Sequence, residues 1–256
     1  MNTLIAFAKK EAMEQIRSGR LILLGILFAL LGVMSPAVAK LTPWLLEMMA
    51  DSMAASGMTV SAVQVTALDS WAQFFKNIPM GLIAFVLLES GVFTREYQTG
   101  TLVLSLTKGL ERPKVVIAKT AVLALLWTAC YWLCAGITWA YTAYYWDNAA
   151  ARHLGLSVCC GWLYGLWIIG LMVLFSVLAK SNTGVLAGTG GTVAACLLLG
   201  MIPRIGRYLP SVLTDGNSLI YGLAEPEAYT VPALLAAGMA IACFAAGIAV
   251  FNRKQL

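Results

Sequence analysis

The sequence predicts an all-α polytopic membrane protein with six transmembrane helices. Three observations carry that reading. The 256-residue chain is 60% hydrophobic and 11% charged, with a mean hydropathy of +0.82, whereas a soluble domain carries about 25% charged residues. The apolar residues gather into six runs, each about the 20 residues a helix needs to cross the hydrocarbon core. The basic residues then distribute unevenly between the two faces those runs define. The whole of residues 1–256 reads as one transmembrane domain.

The elements follow in chain order. Residues 1–20 predict an amphipathic interfacial helix. Leu4, Ile5, Ala8, Ala12 and Ile16 share one side at helical spacing, and Lys10, Glu14 and Arg17 lie opposite; such a helix lies in the interface with its bases toward anionic lipid. The Lys9–Arg20 charges, the apolar run behind them and Ala37-Val38-Ala39 resemble a signal peptide. The charged region is too long for one, and residues 21–40 are expected to stay as the first span. The further spans are expected over 74–93, 113–141, 156–179, 183–202 and 231–251. Two long segments separate them, Leu41–Ala72 and Pro203–Thr230, the latter broken by Pro203, Pro210 and Pro226. The "KSN" link makes spans four and five antiparallel neighbours. The aromatic run "WAYTAYYW", residues 139–146, is expected to anchor the third span at the water–lipid boundary.

An even number of spans puts both termini on one face. Twelve of the seventeen Lys and Arg fall in the segments of that face, and most of the acids fall on the other. Basic loops stay in the cytoplasm, so both termini and the segment between spans two and three are expected there. This asymmetry accounts for the net charge of +5 without nucleic acid; the expected non-protein contact is membrane lipid.

Catalytic sets are missing from the sequence. A single histidine, His153, rules out paired-histidine metal sites. The six cysteines lie in or beside apolar stretches without metal-ligand spacing and read as buried free thiols. No Gly-x-Ser-x-Gly elbow or phosphate-binding P-loop occurs. "GTGGT", residues 188–192, lies inside an apolar run and reads as a close helix contact. Glu89 lies one turn from the cytoplasmic end of span two. It either pairs with a nearby base such as Arg95 or, with Phe85, lines the inner half of a cargo path.

The polar stretch "TREYQTGTLVLSLTKGLERPKV", residues 94–115, interrupts the apolar pattern. Thr99-Gly100-Thr101 makes a turn and a helix start. Leu102 to Leu106 form a short apolar helix that Lys108-Gly109 ends, and Arg112 precedes a proline suited to the first turn of the next helix. The product is an apolar knob ringed by Arg95, Glu96, Lys108, Glu111 and Arg112. It fits a groove on another protein, or it rests on lipid.

These residues resemble the permease subunits of type-2 ATP-binding-cassette exporters. That family carries F-x-x-E-x-x-x-G-T, then leucines, then R-x-x-x-x-x-x-K. Phe93, Glu96, Gly100, Thr101, Leu104, Arg112 and Lys119 fill those places, although Lys108-Gly109 stands where many members have proline. The layout of an inner amphipathic helix, six spans and paired cytoplasmic termini agrees. The resemblance implies that the short helix is a coupling helix. Glu96, Gly100, Thr101, Leu102, Leu104, Leu106 and Arg112 would then contact a separate ATPase subunit, which holds the ATP and magnesium. It also implies a second permease subunit, identical or homologous, a prokaryotic plasma membrane, and no cofactor or catalysis in this chain. The scarcity of charge in the spans favours a hydrophobic or amphipathic cargo: a drug, a lipid or a membrane-active peptide. The rival classes are an intramembrane enzyme, for which no catalytic dyad can be assembled, and a scaffold or sensor subunit.

Overall fold

The computed structural model describes residues 3–55, 64–100, 107, 111–179 and 181–253, of which 50–55 and 99 are described in backbone only. The described residues are helical and contain no strand. The helices are α1 (Thr3–Arg17), α2 (Arg20–Ala55), α3 (Ala67–Glu89), α4 (Thr94–Thr99), α5 (Arg112–Tyr145), α6 (Leu154–Leu178), α7 (Asn182–Gly200), α8 (Pro203–Gly206), α9 (Gly216–Ile220) and α10 (Thr230–Arg253). Six are long and apolar enough to cross a membrane: α2, α3, α5, α6, α7 and α10.

Helix ends depart from the hydropathy boundaries for local reasons. The first span does not stop at Lys40. Residues 41–55 continue α2, because "LTPWLLEMMADSMAA" is rich in helix formers and Lys40 is accommodated with its Nζ 3.5 Å from the centroid of the Tyr145 ring. The second span starts at Ala67, seven residues before Phe74, where the Asp69 carboxylate accepts the Thr66 N–H at 2.8 Å and caps the first turn. The third runs past Tyr141 to Tyr145. The sixth starts at Thr230, behind a 3₁₀ turn over Pro226–Tyr229.

Two prolines lie within α2, and the first is compensated from a neighbour. Pro36 has no N–H, which leaves the Gly32 carbonyl without its intrahelical donor. Thr138 Oγ1 on α5 donates to that carbonyl at 3.1 Å. The helices meet closely here, since a Cβ on Gly32 would lie 2.9 Å from the Cys134 carbonyl oxygen. Asn77 Nδ2 on α3 donates to Ser35 Oγ at 3.2 Å, and Ser35 Oγ donates onward to the Leu31 carbonyl. Small polar residues thus stitch α2, α3 and α5 inside the apolar layer.

Helices α1, α2, α3 and α5 form one packed group, and α6, α7 and α10 form a second that joins it through α5. The seam is aromatic. Trp127 of α5 lies edge-to-face against Phe28 and Phe85, and Tyr131 lies against Phe74. Trp127 Nε1 donates to the Trp162 carbonyl, and Tyr131 OH donates to the Val158 carbonyl. Gly165 makes the room, as a Cβ there would lie 2.2 Å from the Trp127 ring. Of the "GTGGT" glycines, Gly188 takes the Phe175 ring of α6, whereas Gly190 and Gly191 have nothing near them. Cys130, Cys134, Cys160 and Cys196 are buried and Cys243 is half-buried, but Cys159 faces outward.

Candidate functional site

At the face that carries both termini, α1 lies across the ends of α3, α4 and α5 and brings five charged side chains together. Lys119, about two turns into α5, is buried with its Nζ 2.7 Å from Glu11 Oε2 and 3.1 Å from Glu96 Oε2. The first contact is an aligned hydrogen bond; the second is an ion contact without that alignment, and it leaves Glu96 Oε2 without a hydrogen-bond donor among the described residues. Lys119 also donates to the Val92 carbonyl at 3.2 Å. Its ammonium lies 5.8 Å from the Phe7 ring centroid and 5.6 Å from that of Phe93. Lys10 closes the far side, at 2.6 Å from Glu96 Oε1, 2.9 Å from Glu11 Oε1 and 3.3 Å from Glu14 Oε2.

A buried lysine is costly unless it is paired and hydrogen-bonded, and this arrangement supplies both. Burial works against the Lys10 charge, but the hydrogen bonds and charges of Glu96 and Glu11 outweigh it and hold its pKa above the ordinary lysine value. The carboxylates of Glu11, Glu14 and Glu96 converge within 4.8 Å, a spacing that suits a metal ion. The two ammonium groups already occupy the space between them and offset two of the three negative charges, so this is an ion-pair cluster. Beneath it, the fully buried Glu89 accepts from Gln15 Nε2 at 2.7 Å and lies 3.7 Å from Arg20 Nη1. Its partner is therefore Arg20; Arg95 stands beyond the turn over residues 90–93, beside Gly91.

The residues singled out in the sequence fall in different places. Phe93, Glu96 and Lys119 come together: Phe93 is buried, edge-on to Phe251 at 6.2 Å and beneath Lys119. Glu96 is buried on the two lysines and points into the bundle. Arg112 Nη1 donates to the Asn252 carbonyl at 3.0 Å, which ties the start of α5 to the end of α10. Gly100 takes φ +68°, a left-handed stop after α4. Thr101, Leu102, Leu104 and Leu106 lie outside the described residues. Phe85 and Glu89 are fully buried, one helical turn apart, on the inward face of α3.

The neighbouring face of α3 borders open space. Leu82, Ile83, Val86 and Leu87, with Tyr164 of α6 and Thr189 of α7, line an apolar groove of about 410 Å³ between the three helices. Thr189 is buried, and its Oγ1 has no partner among the described residues. Thr192, one turn on, returns its hydroxyl to the Gly188 carbonyl in the usual way.

Residues 5–256 match the sequence pattern of the ABC-2 family transporter proteins. The chain belongs to that family. A relative in Bacillus subtilis (strain 168), described as the uncharacterized transmembrane protein YxlG, is 21% identical over 218 residues, covering 82% of each chain. No solved structure matches. The ABC-2 chain is thus a membrane component of a transporter, and members of its family are generally non-catalytic.

In the ABC-2 chain, the site residues that sequence reasoning overlooked are Lys10, Glu11, Gln15 and Arg20. Periodicity put Lys10 on the outer face of α1, which it half occupies; Glu11 and Gln15 looked unremarkable beside it. One signal pointed to them: Lys119 and Glu89 lie in apolar runs and need counter-charges, and α1 with its junction to α2 is rich in side chains that can supply them.

Proposed function

We propose that the chain is the permease subunit of an ATP-driven exporter. It provides the membrane pathway for a hydrophobic or amphipathic cargo, and a separate ATPase subunit drives it. Both termini and residues 94–112 face the cytoplasm of a prokaryotic cell. The ATPase holds ATP and magnesium, and a second permease subunit completes the pathway. The observation that carries this reading is the ion-pair cluster. Lys119 and Lys10 fasten α4, which precedes residues 101–110 in the chain, to α1 and α5. Force on that segment then reaches α3 and α5 through rigid charge contacts. The groove of α3, α6 and α7 supplies the cargo surface, because its lining is apolar apart from the hydroxyl-bearing Tyr164, Thr189 and Thr214. Leu102, Leu104 and Leu106 are the groups that seat in the ATPase.

The decisive experiment is affinity capture of the chain from its native membrane, followed by reconstitution into liposomes. A P-loop ATPase should be recovered, and cargo should stimulate its hydrolysis. Leu104→Asp should leave the permease in the membrane and abolish stimulation. Capture without any nucleotide hydrolase, or full stimulation in that variant, overturns the reading.

A further inference from the structure

The end of α5 farthest from the charged cluster carries a recess walled by aromatic rings. Trp139, Tyr144, Tyr145, Trp146, Asp147 and Asn148 surround a corner of about 460 Å³. Successive rings stand steeply to one another, Tyr144 to Tyr145 at 81° and Tyr145 to Trp146 at 60°, so they wall a corner instead of stacking. Trp139 and Tyr144 are 56 and 79% exposed. The turn behind them is fixed in place. Trp71 Nε1 donates to Asn148 Oδ1 at 2.9 Å, and Asn148 Nδ2 donates to the Trp139 carbonyl at 3.1 Å. Asp147 Oδ1 accepts the Ala149 N–H, and the Asp147 carboxylate has no ion-pair partner among the described residues. An ammonium already rests on this wall, since Lys40 Nζ lies 3.5 Å from the centroid of the Tyr145 ring. Lys40 itself does not line the corner, which stays open beside that contact.

Trp139 also lines a second cavity, of about 340 Å³. Ala143 in the corner, Trp139 at the junction, and Gly136 and Trp132 in the second cavity follow one another on α5 at intervals of four, three and four. That spacing is one helix face, and it descends about 10 Å from Trp139 to Trp132 at the helical rise. Gly155 and Val158 of α6 form part of the facing wall, and the lining is apolar throughout. At Gly136 and Gly155 nothing lies within 4 Å of an added Cβ.

We propose that the two cavities form one site for a cationic amphipath, in which the corner takes a methylated ammonium head and the apolar cavity takes its alkyl chain. A quaternary ammonium is attracted to ring faces and needs no hydrogen-bond acceptor. A primary ammonium brings three donors and would find one free carboxylate oxygen here, because the Asn148 amide is committed to the protein. The Asp147 carboxylate offsets the charge of the head. The aromatic run marks the water–lipid boundary, so the head lies at that boundary and the chain lies in lipid, the orientation of an amphipath already in the membrane. The site shares no lining residue with the groove of α3, α6 and α7 and stands whether or not that groove carries cargo.

The test is equilibrium binding to the full chain in dodecyl maltoside micelles, which carry no ammonium group, with protein-free micelles subtracted. Decyltrimethylammonium should bind saturably. Decylammonium, with the same tail and a primary head, should bind at least threefold more weakly, and tetramethylammonium, with no tail, at least tenfold more weakly. Asp147→Asn keeps the oxygen that caps Ala149, and Tyr144→Ala changes an exposed ring. Each should weaken decyltrimethylammonium at least threefold. Gly136→Leu, which has room for its side chain, should weaken decyltrimethylammonium to a similar degree and leave tetramethylammonium binding unchanged. Absence of saturable binding, decylammonium bound as tightly as its trimethyl form, or undiminished binding in both Asp147→Asn and Tyr144→Ala overturns the head site. Tetramethylammonium bound as tightly as the decyl compound, or Gly136→Leu without effect on the decyl compound, overturns the joining of the two cavities.

Discussion

Lys119 shows how much one side chain can hold in place. It lies in an apolar run, touches two carboxylates of opposite origin, and is sealed by Phe7 and Phe93. Removing it leaves Glu11 and Glu96 buried with one lysine between them. Lys119→Met should therefore destabilise the chain in detergent by about 3–5 kcal/mol, the cost of breaking a buried ion pair from one side. The Lys119→Met/Glu11→Gln double variant should recover part of that loss, and thermal unfolding of purified protein checks both. Lys10 carries a pH consequence. Its pKa is raised in the folded state, so its contribution is complete below the unfolded lysine value of about 10.4 and disappears only as pH climbs through the higher folded value. Protease access to α1 should stay constant from about pH 6 to about pH 9, a range in which ordinary lysines remain charged. Increased cleavage within that range would contradict the assignment.

At the scale of the element, the Pro36 site allows a sharper test. Thr138→Val takes the donor from the Gly32 carbonyl and should cost about 1–3 kcal/mol, the penalty for a buried acceptor left unsatisfied. In a Pro36→Ala background the restored N–H serves that carbonyl, so the same Thr138→Val change should cost clearly less. Equal losses in the two backgrounds, read from unfolding midpoints, would refute the compensation. The spans were readable in the sequence because lipid selects for apolar runs of sufficient length, and Leu154–Leu178 and Asn182–Gly200 fall within a few residues of expectation. The ends were less readable, because membrane thickness does not stop a helix whose residues still favour it. Nothing after Lys40 breaks α2, and Asp69 starts α3 early. The site was half readable. Phe93, Glu96 and Lys119 stood out as a pattern, but Lys119 and its partner Glu11 are 108 positions apart, and only folding reveals that pairing.

At the scale of the whole molecule, two helix groups meet along an aromatic seam, and the groove opens where α3 faces α6 and α7. Gly165→Val tests the seam. Its side chain would press into the Trp127 ring and should cost about 1–3 kcal/mol as overpacking, with a lower unfolding midpoint. Gly190→Trp tests the groove. Gly190 has no neighbour within 4 Å of an added Cβ, so the indole should fill the groove without unfolding the bundle. Cargo-stimulated ATP hydrolysis in liposomes should fall at least tenfold, while capture of the ATPase is unchanged.

The burial of Lys119 also bears on how the chain is made. Synthesis proceeds from the amino end, so α1 with Glu11 is made before α5 leaves the ribosome. The ammonium then folds in beside an acid that is already there. A chain deprived of its first eighteen residues would insert that lysine beside Glu96 alone, and it would be surrendered to membrane proteases rather than assembled.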